Sequence, residues 1–369
     1  MDTKLSLYIH YPYCVRKCPY CDFNSHKKGV NMDESYFDRL IQDFDTNIDK
    51  IKDREFISVF VGGGTPSLAS YKCYAKLFSH IEKYFAKDVE ITFEANPGTL
   101  DLKKLCNFKA VGFNRISIGV QSFDNKMLKA LGRIHDKDEA IKACEDSKKA
   151  GFLRRNFDIM HTLPGQSTAM ALDDLKMAVN LDATHLSWYE LTIEEDTKFG
   201  QNPPTLPDED TMMDIEKEGF SYLNDNGFKR YEVSAFTRER RCVHNENYWL
   251  FGDYLGIGAG AHSKLTIGND VLRRANISIP DNYCKKDFEP FYCVDKKDLP
   301  FEYMLNRLRL FGSIKKSDFT EKTRMPFVAV EDKLLKARDL GLISFDTDNT
   351  YSITELGKIM LNDILELFL

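Results

Sequence analysis

Six short apolar runs recur through the first half of the chain: LSLYIHY (5–11), FISVFVGG (56–63), DVEITFEAN (88–96), NRISIGVQS (114–122), RRNFDIMHTL (154–163) and THLSWYELT (184–192). Between them lie ESYFDRLIQDFDTNIDKI (34–51), YKCYAKLFSHIEKYF (71–85) and KMLKALGRIHDKDEAIKACEDSKKAG (126–151), which place apolar residues at three and four spacing with charges between. That is the pattern of helices burying one stripe. Strands alternating with helices predict an α/β class and a parallel sheet with right-handed crossovers, either open or curled into a barrel. Chemistry then belongs at the carboxyl ends of the strands, and the sharpest motifs sit there. Three cysteines follow the first run, GGGTP the second, Glu94 to Pro97 the third and Gln121 the fourth.

The pattern changes after residue 195. A polar, proline-bearing stretch, QNPPTLPDED (201–210), precedes a helical run and then RYEVSAF (230–236). From Leu299 a separate unit is expected: helical EYMLNRLRLF (302–311), a second helix ending at Gly341, a hairpin in LISFDTDNTYSIT (342–354) turning at Asp348-Asn349, and a last helix. The expected organisation is therefore a core over 1–200, a connecting segment over 201–298 and a mostly helical, winged-helix-like domain over 299–369.

Composition narrows the function classes. With 369 residues and 43 % hydrophobic content the chain can bury a sizeable core. A net charge of -6 gives no global basic field, so nucleic acid is not an expected partner, and the acids mixed into the winged unit favour packing over DNA binding. MDTKLSLYIHY lacks the form of a signal peptide, and no window reaches 18 uninterrupted apolar residues, so a cytoplasmic protein is expected. In that compartment nine cysteines stay largely reduced, and clustered ones point to metal binding or catalysis.

Cys14, Cys18 and Cys21 form CxxxCxxC in LYIHYPYCVRKCPYCDFNSH. A structural zinc site normally closes with four ligands, whereas three thiolates on a 4Fe-4S cluster leave one iron open to an exchangeable ligand. Cys73, Cys106, Cys144, Cys242, Cys284 and Cys293 show no paired spacing and mostly read as small buried hydrophobes. The CxxxCxxC motif resembles that of the radical S-adenosylmethionine (SAM) family. That resemblance implies a partial (β/α)6-type barrel, Cys14, Cys18 and Cys21 as cluster ligands, and SAM on the open iron. It assigns Gly63, Gly64 and Thr65 of GGGTP, Tyr20 inside the cysteine motif and Tyr8 before it to SAM contacts.

Further matches in GGGTPS, FEANPGTL, NRISIGVQSF, LGRIHD and FDIMHTLPGQS resemble the branch containing oxygen-independent coproporphyrinogen oxidases and haem chaperones. The resemblance adds Glu94, Gln121, Arg133 and Asp158 as residues holding SAM, some of them a second SAM. The chemistry is apt: Glu94 and Asp158 accept hydrogen bonds, and Arg133 clamps a carboxylate. Taken alone, a surface ion pair for Arg133 and a strand-end cap for Asp158 stay open as the lesser readings. Thr162, in FDIMHTLPGQS, departs from a position where this branch often has a smaller residue.

Two features divide the branch. The oxidases carry a further cysteine two positions after the third cluster cysteine, where this chain has Phe23. HNENYW (244–249) is similar to the HNxxYW signature of the haem chaperones, making His244 a candidate haem ligand, although a histidine and a tryptophan this close also suit an ordinary core. The resemblance implies a haem carrier that passes haem to an acceptor protein, including one at a membrane, with a flavodoxin- or ferredoxin-like reductant. The alternative is an enzyme, an oxidoreductase decarboxylating coproporphyrinogen III to protoporphyrinogen IX. A winged-helix regulator would need a basic recognition helix that the sequence does not offer. GIGAGA (256–261) fits the dinucleotide fingerprint, but with no clear strand before it or helix after it NAD is not expected.

Overall fold

The computed structural model describes residues 3–29, 33–51 and 53–369. The six runs form β1 (Lys4–Tyr11), β2 (Glu55–Gly63), β3 (Phe85–Ala95), β4 (Arg115–Gln121), β5 (Arg154–His161) and β6 (His185–Glu190). Each pairs in parallel with the next, in chain order. Helices α1 (Asp33–Asp45), α2 (Tyr71–Ile81), α3 (Leu102–Val111), α4 (Lys137–Lys149), α5 (Thr168–Asn180) and α6 (Glu209–Asp225) follow the strands in turn. Their starts are written locally. Ser70, Asp101, Ser167 and Asp208 each accept a backbone N–H of the first turn, and Asp136 forms a capping box with Glu139. One face of the sheet and the apolar stripes of the helices make the main core, in which Phe93, Phe108 and Phe113 pack with centroids 4.7 to 5.4 Å apart.

The strands of the segment 201–298 extend this sheet on both sides. On one side Ala235–Thr237 pairs antiparallel with β6 and Lys229–Arg230 with it. On the other, Tyr254–Ile257 runs parallel to β1, followed outward by His262–Ile267, Asp270–Ala275 and Tyr292–Cys293. Among the described residues the result is an open mixed sheet of 12 strands whose middle is the six-stranded parallel set. Between these two additions runs helix α7 (Val243–Trp249), which carries HNENYW.

A strand therefore does lead into GIGAGA, contrary to the reading from sequence, but a strand and not a helix follows it. Asp43 of α1 fixes this loop. Its Oδ2 accepts from the Gly258 amide at 3.1 Å, Asn276 Nδ2 at 2.8 Å and the Tyr283 hydroxyl at 2.8 Å, while Arg274 Nη1 lies 3.0 Å from Oδ1. A Cβ on Gly260, whose φ is +77°, would lie 2.4 Å from Nδ2 of Asn24, so these glycines let the loop press against the end of the cysteine segment.

The carboxyl-terminal unit has its own core around Tyr303, Phe319, Leu334 and Tyr351. Its hairpin pairs Ile343–Thr347 with Thr350–Ile353, and Ile314–Lys315 adds a third strand. No helix among the described residues is long and apolar enough to cross a membrane.

Candidate active site

A cavity of about 510 Å³ opens at the carboxyl ends of the six parallel strands. Its wall gathers Cys14, Cys18, Tyr20, Cys21, Gly63, Gly64, Thr65, Glu94, Gln121, Arg133 and Asp158, residues contributed by every motif read from sequence except HNENYW and GIGAGA. Tyr8 and His244 are not in this wall. The Tyr8 hydroxyl pairs with Nδ1 of His10 at 2.8 Å and its ring stacks with Phe60. His244 stacks on Phe60, ring on ring at 3.9 Å.

The cysteine segment is a loop held at both ends. Tyr13–Cys14 pairs with His26–Lys27, and the Thr65 amide donates to the Tyr13 carbonyl at 2.8 Å. Asn24 Nδ2 donates to the carbonyls of Ala259 and Ser278 at 3.0 and 2.8 Å, joining the loop to GIGAGA. The Thr65 hydroxyl donates to Cys14 Sγ at 3.4 Å, and Arg133 Nη1 to Cys18 Sγ at 3.6 Å. Burial raises the Cys14 and Cys21 thiols, against which the Thr65 hydroxyl and the Phe23 amide respectively favour the thiolates. Among the described residues no three His, Cys, Asp or Glu side chains close into a cage for a single ion. The three thiols instead rim the cavity, as a cubane needs, since each thiolate takes a different iron.

Beyond the thiols, the wall is polar and only partly satisfied. Burial, helped by nearby Asp158, raises the Glu94 carboxyl to about 8, against a donated Gly63 amide at 3.2 Å. Burial also raises Asp158, which Ser187, Ser117, Arg115 and Asn156 oppose. Two buried carboxyls facing one space favour a cation or a multiple donor. Arg133 donates from Nη2 to the Gly119 carbonyl at 2.8 Å and from Nη1 to the Tyr20 hydroxyl at 3.4 Å, and its buried Nε has no partner. Gln121, at φ 69°, accepts the Tyr189 hydroxyl on Oε1 at 2.8 Å.

The glycines of GGGTP act partly through the protein itself. A Cβ on Gly64 would stand 2.7 Å from the Tyr13 carbonyl oxygen, and the Gly64 amide already donates to Tyr11 at 2.7 Å. This stretch therefore seats the cysteine loop as well as lining the cavity. Sequence reasoning missed Tyr189, Ser187 and Met160, which also line the wall. Their one signal was position, at or near the ends of β5 and β6. It also left Thr162 unexplained. Its φ of 55° is one that branched side chains rarely adopt, so the position favours a residue without a branched side chain.

A six-stranded parallel set with three loop cysteines over a polar cavity defines a radical SAM protein, and the Radical SAM superfamily model matches residues 8–178. The HemN C-terminal domain model matches residues 294–358. The fold resembles that of a coproporphyrinogen III oxidase, HemN from Escherichia coli, with a TM-score of 0.83, 21 % identity and coverage of 100 % of this chain and 90 % of that one. Within the superfamily the chain belongs to the haem chaperone HemW family. It is 43 % identical to HemW of Haemophilus influenzae and to HemW of Escherichia coli, in each case over 99 % of this chain and 98 % of the relative.

Proposed function

We propose that this protein is a haem chaperone, binding haem and handing it to an acceptor protein, with a 4Fe-4S cluster and exchangeable SAM in the cavity at the strand ends. The observation that carries this is the near full-length identity to chaperones of that name, joined to Phe23 where the oxidases have a further cysteine and to HNENYW on α7. The residues fit the group. Three thiols rim the cavity, and the unpartnered Arg133 Nε as donor and the buried carboxyls as acceptors are the polar set a zwitterionic, cationic ligand uses. A cluster with one free iron, when bound, supplies an electron and a chelation point for SAM. Cys14, Cys18 and Cys21 would hold it, Thr65 and Arg133 favouring their thiolates. Arg133 would take the ligand carboxylate, Glu94 and Asp158 its hydroxyl and ammonium donors, and Tyr20 and Met160 its flat base.

For haem, His244 is the assigned donor. Burial first, then Arg115 and Arg154, depresses its pKa well below the usual imidazole range, so the ring is neutral, and its Nδ1 has no hydrogen-bond partner. Because the ring is buried, haem reaches it only when the packing around α7 opens. The deciding experiment supplies the anaerobically reconstituted protein with haem, and separately with coproporphyrinogen III, SAM and a reductant. A haem complex near one per chain without sustained decarboxylation is expected. Turnover to protoporphyrinogen IX would instead establish the oxidase.

A further inference from the structure

A column of buried side chains leads from the cavity to helix α7. Asp158 Oδ1 accepts from Nδ2 of Asn156 at 2.7 Å, and Oδ2 from the Ser117 hydroxyl at 3.0 Å. Asn156 Oδ1 lies 2.5 Å from Nδ1 of His185, whose Nε2 lies 2.8 Å from the Tyr231 hydroxyl. That hydroxyl in turn accepts from Nδ2 of Asn245, the second residue of HNENYW, at 3.3 Å. Asn156, His185 and Tyr231 are 2, 4 and 2 % exposed, so water does not compete for these bonds.

The chemistry fixes the direction of the column. A carboxylate only accepts, so Asn156 turns its NH2 to Asp158 and its oxygen to His185. His185 then donates from Nδ1 and keeps a lone pair on Nε2, which takes the Tyr231 proton. The phenol oxygen is left to accept from Asn245. Every hydrogen in the column points toward Asp158. Burial, with Arg115 and Arg154 nearby, keeps His185 neutral, as this arrangement requires.

We propose that His185 is a positioning residue for the cavity: by fixing the Asn156 amide it aims Asp158 at the bound ligand, and through Tyr231 it ties that carboxylate to Asn245 of the HNENYW helix. The inference rests on Asp158 being a SAM contact. It makes the two motifs one mechanical unit, so that a displacement of α7 is felt at the ligand.

The test measures SAM affinity of the full reconstituted chain by equilibrium dialysis, with iron content and circular dichroism taken on each variant. His185→Asn places an amide N–H near the position of Nδ1 but leaves a void, whereas His185→Leu fills the space and cannot hydrogen-bond. Affinity within about twofold of wild type is expected for Asn and a loss of about tenfold for Leu, since the latter leaves the Asn156 carbonyl unpaired. A purely packing role gives the reverse order and overturns the inference. Tyr231→Phe, the mildest change and the arm that stands if Leu does not fold, is expected to weaken SAM about threefold. Unchanged affinity there removes the helix from the unit. Asp158→Ala separates the two levels: wild-type affinity in it sinks the cavity reading and the inference together, whereas a weakened Asp158→Ala beside a wild-type-like His185→Leu sinks the inference alone.

Discussion

His244 stacks on Phe60 with ring centroids 3.9 Å apart and planes inclined by 21°, which packs helix α7 against strand β2. A stack of this kind contributes about 0.5–1.5 kcal/mol beyond its buried area. If haem reaches His244 only after the pair separates, Phe60→Leu speeds haem association by roughly 2- to 10-fold, that energy expressed as a rate. Stopped-flow absorbance checks the rate, and the bound spectrum should stay that of wild type. In His244→Ala the spectrum itself changes and affinity falls. An unaltered spectrum there would move the ligand elsewhere.

Replacing Cys14, Cys18 or Cys21 singly by Ser is expected to strip most of the cluster, measured as iron and sulfide per chain. Gly64→Ala should do part of the same from outside the motif. Its Cβ would press on the Tyr13 carbonyl 2.7 Å away, one residue before Cys14, so both iron content and SAM affinity fall. A normal iron content with only SAM lost would mean the loop yields and the glycine serves the ligand alone.

Glu94 makes the protein's stability depend on pH in an uncommon direction for an acid. Burial pushes its carboxyl up from the ordinary value of 4.5 to about 8 in the folded chain. Between those values the unfolded chain ionises first, so this group's contribution declines as pH rises from 4.5 to 8 and is constant outside that window. Thermal melts from acid to neutral pH should show a shallower decline in Glu94→Gln. A cationic ligand beside the carboxyl reverses the preference, so SAM binding at neutral pH releases a proton in wild type and less in Glu94→Gln, read by calorimetry in buffers of different ionisation enthalpy.

Asp253 shows the opposite behaviour. It lies between Arg54 Nη1 at 2.9 Å and Lys264 Nζ at 2.9 Å, all three side chains being no more than 5 % exposed. Although burial opposes it, Lys264 and Arg54 lower its carboxyl from 3.8 to about 2. Its contribution is complete above the unfolded value and is lost as pH falls toward 2. Asp253→Asn strands two buried cations and is expected to cost about 3–5 kcal/mol in denaturant unfolding at neutral pH. A change below about 1 kcal/mol would mean that water reaches the pair.

The sequence by itself determined what is local. Strand and helix periods, the Ser and Asp caps, the Asp348-Asn349 hairpin and the spacing of the three cysteines all depend on residues a few positions apart, and each is legible for that reason. The placing of Glu94, Gln121 and Asp158 at one end of the parallel strands followed from the same alternation, because parallel neighbours present their carboxyl ends together. Tertiary structure alone decided the rest. Whether Tyr254–Ile257 and Ala235–Thr237 form a connector or extend both sides of the sheet depends on hydrogen bonds to β1 and β6, residues far away in the chain, which no local period encodes. The same holds for His244 and Tyr8. Nothing local says what packs on them: Phe60, supplied by β2, stacks with both rings, and only packing across the sheet could put it there.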